Sequence, residues 1–147
     1  MALANVVLDT NILVAGLRSR RGASALLLDV VGRGLVEINL SVPLLLEYEA
    51  VLKRPGKVPM YTPQEIDEFL DGLCVGAREC RVNFLWRPQL TDPKDEAVLE
   101  LAVAAGGVPI VTYNKDHYRG AERFGVRIIT ALELLYEIGA LEQRRTL

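Results

Sequence analysis

A chain of 147 residues that is 50% hydrophobic and 24% charged has the material for a single compact domain spanning 1–147 with a real core. Its 17 basic and 19 acidic side chains leave a net charge of −2, which argues against a protein that coats nucleic acid nonspecifically. No apolar run is long enough to cross a bilayer, Met1–Asn5 does not read as a secretory leader, and Cys74 and Cys80 make neither a disulfide framework nor a usual zinc spacing; a cytoplasmic protein is expected, with Cys74 in a helix core.

Val6-Val7-Leu8 is an apolar run that stops abruptly at Asp9-Thr10-Asn11, the pattern of a buried strand delivering a carboxylate to its tip. In parallel sheets ligands bind outside those tips, although Asp9 or Asn11 is equally well accounted for as the cap of a helix starting at Ile12. A basic loop with Arg18, Arg20 and Arg21 follows, then a short amphipathic helix from Ala23 to Val31 that stops near Gly32 and Gly34. Val36 to Leu40 alternates as a strand does, and Pro43 suits the first turn of a helix whose stripe is Leu44, Tyr48, Val51 and Leu52. Glu47 lies beside that stripe, where a carboxylate can simply favour the positive end of the helix dipole. Residues 54–61, with Arg54 and Lys57, read as the longest irregular stretch, and Thr62-Pro63-Gln64-Glu65 as a capping box. The helix it opens carries Ile66, Phe69, Leu70, Leu73 and Ala77 on one face and a solvated acidic face of Asp67, Glu68 and Asp71; Val82 to Trp86 reads as a short strand.

Asp92-Pro93-Lys94-Asp95-Glu96 puts three carboxylates ahead of an apolar helix, and a cap needs only one. Pro109 to Thr112 reads as another buried strand, with Asn114 and Asp116 at its tip beside His117, the only histidine. A strand at Val126 to Ile129 and a capped helix from Thr130 complete the pattern, before a short tail with Arg144 and Arg145. Strands alternating with helices define an α/β fold, and right-handed crossovers bring the strand tips to one edge, where Asp9, Asn114 and Asp116 meet helix starts carrying Glu47, Asp92 and Asp95. Clustered carboxylates repel unless they hold a proton or a cation, and oxygen donors without His or Cys favour magnesium or manganese, which serve phosphodiester hydrolysis. There is no Walker-type loop, no Gly-x-Gly-x-x-Gly and no Gly-x-Ser-x-Gly, so nucleotide hydrolysis, dinucleotide binding and serine chemistry are disfavoured.

Leu8-Asp9-Thr10-Asn11, Leu46-Glu47-Tyr48, Asp92-Pro93-Lys94-Asp95-Glu96 and Val111-Thr112-Tyr113-Asn114-Lys115-Asp116 resemble the successive acidic motifs of the PIN-domain family, in order and over nearly the whole chain. Within it, the sequence is most similar to VapC-like toxin components of prokaryotic toxin-antitoxin systems. The resemblance implies a three-layer α/β/α sandwich around a parallel sheet of about five strands. It also implies an RNA-cleaving site using Mg2+ or Mn2+, a homodimer, and often a cognate antitoxin that blocks the site. Carried over by motif, Asp9, Glu47, Asp95 and Asp116 are the catalytic and metal-binding acids; many relatives place an Asp where this chain has Asn114, so either Asn114 or Asp116 supplies the fourth ligand. Asn11 matches the usual polar partner of the first acid, Thr112 is a polar neighbour, and Asp92 and Glu96 are supporting or capping residues. Arg18, Arg20 and Arg21, with the 54–61 loop, are expected to flank an RNA groove.

Two other readings stand beside the endoribonuclease. One is a noncatalytic PIN-fold module that binds RNA or protein and has weakened metal binding, as Asn114 allows. The other is a phosphoester hydrolase acting on small molecules. A mean hydropathy of +0.21 adds to the expectation of a dimer.

Overall fold

The structure is a computed structural model that describes residues 3–82, 90 and 93–141, with 93 and 94 as backbone only. Its elements are β1 (Ala4–Leu8), α1 (Thr10–Arg18), α2 (Ala23–Gly32), β2 (Val36–Leu40), α3 (Val42–Leu52), α4 (Pro63–Gly76), β3 (Arg78–Glu79), α5 (Pro93–Ala104), β4 (Ile110–Val111), β5 (Ile128–Ile129) and α6 (Ala131–Glu137). Two 3-10 turns, Lys115–Tyr118 and Ala121–Phe124, link β4 to β5.

All strand pairs are parallel, in the order β3-β2-β1-β4-β5. The chain therefore builds outward from β1 to β3 and then returns to the other side of β1 for β4. Such a reversal opens a crevice at the strand tips between β1 and β4, the place where parallel α/β sheets bind ligands. Val7 and Leu8 lie in register with Ile110 and Val111, so Asp9 and Thr112 follow their strands side by side into that crevice.

Val6, Val7 and Leu8 are all buried, which in a strand of period two means that both faces are covered. The helix α5 packs on β1, β2 and β4 and also meets α3. Val98, Leu99, Leu101 and Ala102 are buried, so α5 turns a broad apolar face inward. On the helical side of α1, Gly16 lets α2 approach: a Cβ there would run into the Leu28 side chain and come within 3.0 Å of the Ser24 carbonyl.

The capping signals at Thr62 and Thr130 act as their sequences indicate, with capping boxes to Glu65 and Glu133, and Ser41 caps α3. β2 lies where its alternation indicates, and its Asn39 is fully buried, donating to the Val6 carbonyl at 3.1 Å and to the Asn5 side chain. Two readings change. Cys74 is exposed rather than core: the buried stripe of α4 is Ile66, Leu70 and Leu73, and the next position falls off its edge. The strand after α4 lies at Arg78–Glu79, whereas Val82 is in no strand and residues 83–86 of the expected one lie outside the described residues.

Candidate active site

Asp9 occupies the N-cap position of α1, yet its side chain makes no capping hydrogen bond. Its Oδ2 instead accepts from Thr112 Oγ1 at 2.8 Å, from the Tyr118 hydroxyl at 3.0 Å and, at the limit of bonding distance, from Asn11 Nδ2 at 3.4 Å. The simple cap reading thus fails on geometry. Asp9 is 8% exposed, and burial raises its pKa above the ordinary carboxylate value, with the hydrogen bonds from Thr112 and Tyr118 opposing the shift.

Thr112, fully buried at the tip of β4, also accepts from Asn11 Nδ2 at 3.2 Å and from the Asn114 backbone N–H at 3.0 Å. Asn11 Oδ1 receives the Tyr113 N–H at 3.3 Å. These bonds tie the tips of β1 and β4 together. Further out, the Tyr113 and Ser24 hydroxyls meet at 2.7 Å, pinning the same segment to α2.

Glu47 stands on α3 beyond its first turn, which holds no acidic residue, so the dipole does not explain it. Thr10 Oγ1 donates to Glu47 Oε2 at 3.0 Å, and the neighbouring Tyr48 hydroxyl donates to the Leu8 carbonyl, so α3 is fastened to the end of β1 on both sides of Asp9. Asp95, in the first turn of α5 and 8% exposed, accepts from the Tyr118 hydroxyl at 3.3 Å and lies 3.5 Å from His117 Nδ1. Glu96 turns the other way and accepts the Leu90 N–H, holding the chain that enters α5.

Asp9, Glu47 and Asp95 line one cavity of about 510 Å3, together with Thr10, Asn11, Asn114 and His117. Arg18, from the end of α1, and Lys57, from the loop after α3, line it too. Asp116 does not: its side chain is 86% exposed and pairs with Arg119 at 3.4 Å. Arg20 lines a separate cavity between α2 and α6 that includes Leu26 and Leu132, and Arg21 is exposed. Asp92 lies outside the described residues.

Several contributors carry no obvious signal in the sequence. Lys57 sits among other loop cations, Thr10 looks like a helix-start residue, and Tyr118 lies four residues past the strand-tip Asn114, where only a 3-10 turn folds it back onto Asp9.

Among the described residues, no group of three or more His, Cys, Asp or Glu side chains is assembled to ligate an ion directly. The donors around the cavity still fit one. They offer carboxylate and amide oxygens without thiol, and magnesium keeps several waters, so one or two carboxylates suffice as direct ligands.

A parallel sheet with an oxygen-rich crevice at its switch point defines an α/β protein with an acidic, cation-suited site beside basic side chains. Residues 5–116 match the PIN domain family, and the chain belongs to it. The crystal structure of VapBC2 from Rickettsia felis bound to a DNA fragment from their promoter contains a similar chain, at a TM-score of 0.55 and 16% identity, covering 86% of this chain and 98% of that one. That likeness bears on the fold, and it agrees with the sandwich read from the motifs. No curated protein matches the chain.

Proposed function

We propose that this protein is a metal-dependent endoribonuclease of the VapC-like kind, hydrolysing RNA phosphodiester bonds, with Asp9, Glu47 and Asp95 as its cation-binding acids. The observation that carries the reading is that these three carboxylates, drawn from three elements, line one cavity with Arg18 and Lys57 on its walls. PIN domains are in general nucleases, and family membership supports the reaction class.

Bound Mg2+ or Mn2+ would supply a water of lowered pKa and a counter-charge for the phosphate. Asp9, Glu47 and Asp95 would hold the ion, Glu47 from α3, and Asn114 would add a neutral oxygen. Arg18 and Lys57 would fix the phosphates on either side of the cut, orienting the scissile bond over the acids. Asn11 and Thr112 hold Asp9 in place. With Asp116 paired to Arg119, Asn114 is the better placed of the two candidates for the fourth position.

The toxin role and an antitoxin partner are supported by the likeness to a VapBC2 chain. A homodimer in the cytoplasm completes the proposal, on the exposed apolar side chains Leu3, Leu46, Met60 and Val75 and on the lack, among the described residues, of a helix able to cross a membrane. A second reading, a PIN fold that binds RNA or protein without cleaving, is favoured by Asn114 in place of an acid and by the outward Asp116. One assay decides between them. Incubating a structured RNA with the purified chain in Mn2+ should yield discrete fragments that EDTA abolishes; intact RNA with Mn2+ present would favour the binding module.

A further inference from the structure

The cluster contains one side chain that no acidic motif accounts for. Tyr118 is 1% exposed, and its hydroxyl stands between two carboxylates from distant parts of the chain, 3.0 Å from Asp9 Oδ2 and 3.3 Å from Asp95 Oδ1. Its ring is fixed by the 3-10 turn Lys115–Tyr118, which the ion pair from Lys115 to Glu133 at 2.6 Å anchors to α6. A phenol carries a single hydrogen, and here two carboxylate oxygens stand within bonding distance of it, so both acids draw on one donor.

We infer that Tyr118 is a positioning residue which holds the Asp9 and Asp95 carboxylates at a set separation for a cation they would share. The inference rests on the nuclease reading above. Asp9 Oδ2 is committed to Thr112 and Tyr118 as donors, with Asn11 at longer range, so a cation approaching that oxygen would have to displace protein hydrogen bonds. Thr112 also holds Asp9, whereas the phenol reaches both Asp9 and Asp95. Groups that orient metal ligands from behind are typically worth tenfold to a hundredfold in affinity or rate.

The test is Tyr118→Phe, which keeps the ring and removes the hydroxyl. The half-saturating Mn2+ concentration, read from the rise in melting temperature, should increase about tenfold, and kcat should fall while KM for RNA stays within about twofold. A purely structural tyrosine would lower the melting temperature in EDTA and leave the half-saturating concentration unchanged, which would overturn the inference while the nuclease reading stood. If the parent protein itself shows no response to Mn2+, the nuclease reading fails and this role fails with it. Should the phenylalanine variant not fold, a ring-fluorinated tyrosine at position 118 retains the hydroxyl and reports directly. Its fluorine resonance should move with Mg2+ over the same range that stabilises the fold; a resonance that Mg2+ leaves in place would overturn the inference equally.

Discussion

Two crevices of this molecule differ in a way that explains where its chemistry belongs. The larger, about 660 Å3, runs between α2 and α4 and is walled by Leu3, Leu28, Val31, Phe69, Leu73 and Val75. The smaller, at the tips of β1 and β4, carries three carboxylates, two amides and two cations. The first lies beside the start of β2, away from the strand tips, and two of its charged members, Asp29 and Arg33, pair with each other. The second has its acids turned inward and held by hydroxyls from neighbouring elements. Size does not mark the site; the topological switch and the convergence of polar groups do.

The sharpest way to break this contrast is Asp9→Asn, which should lower Mn2+-dependent RNA cleavage by at least about a hundredfold, since an amide is a poorer cation ligand and a weaker activator of water. Next in size is the cation pair. Lys57→Ala and Arg18→Ala should each weaken RNA binding and flatten its dependence on salt, by a slope of about 0.7 per lost phosphate contact. Arg20→Ala, at the α2/α6 cavity, should leave that slope alone, and binding isotherms over a salt series read both. Smaller still, Asp116→Asn should change cleavage less than about twofold, because removing one partner of an exposed pair costs little. A large loss there would return the fourth position to Asp116. On the other crevice, Leu73→Ala should cost about 2–3 kcal/mol in denaturant unfolding and leave cleavage per folded molecule as it was.

How far the sequence reaches follows the same division. Period-two and helical patterns located β1, α2, β2, α3 and α4, because each buries a continuous face. Asp9 announced itself by ending an apolar run, whereas Glu47 and Asp95 were singled out by the resemblance of their motifs to those of the PIN-domain family. Contacts made across the fold were not legible. Nothing in the spacing of Tyr118 reveals that a 3-10 turn returns its hydroxyl to Asp9, or that Asp116, two residues earlier on that turn, faces solvent. The burial of Asn39 was equally illegible, because a buried amide with partners in its own sheet produces the same alternation as a solvated one.

The most direct test of the account compares the melting temperatures of the parent and Asp9→Asn proteins, in EDTA and in millimolar Mn2+. Burial raises the Asp9 pKa in the fold, so the folded chain binds that proton more tightly than the unfolded chain. The charge therefore costs stability at neutral pH, and the cost fades as pH falls towards the ordinary carboxylate range. In EDTA at pH 7 the Asn protein should melt at or above the parent, with an advantage that shrinks on acidification. In Mn2+ the order should reverse, because only the parent gains from an ion that binds the folded state. Equal stabilisation of both proteins by Mn2+, or a parent indifferent to the metal, would contradict a cation site built on Asp9.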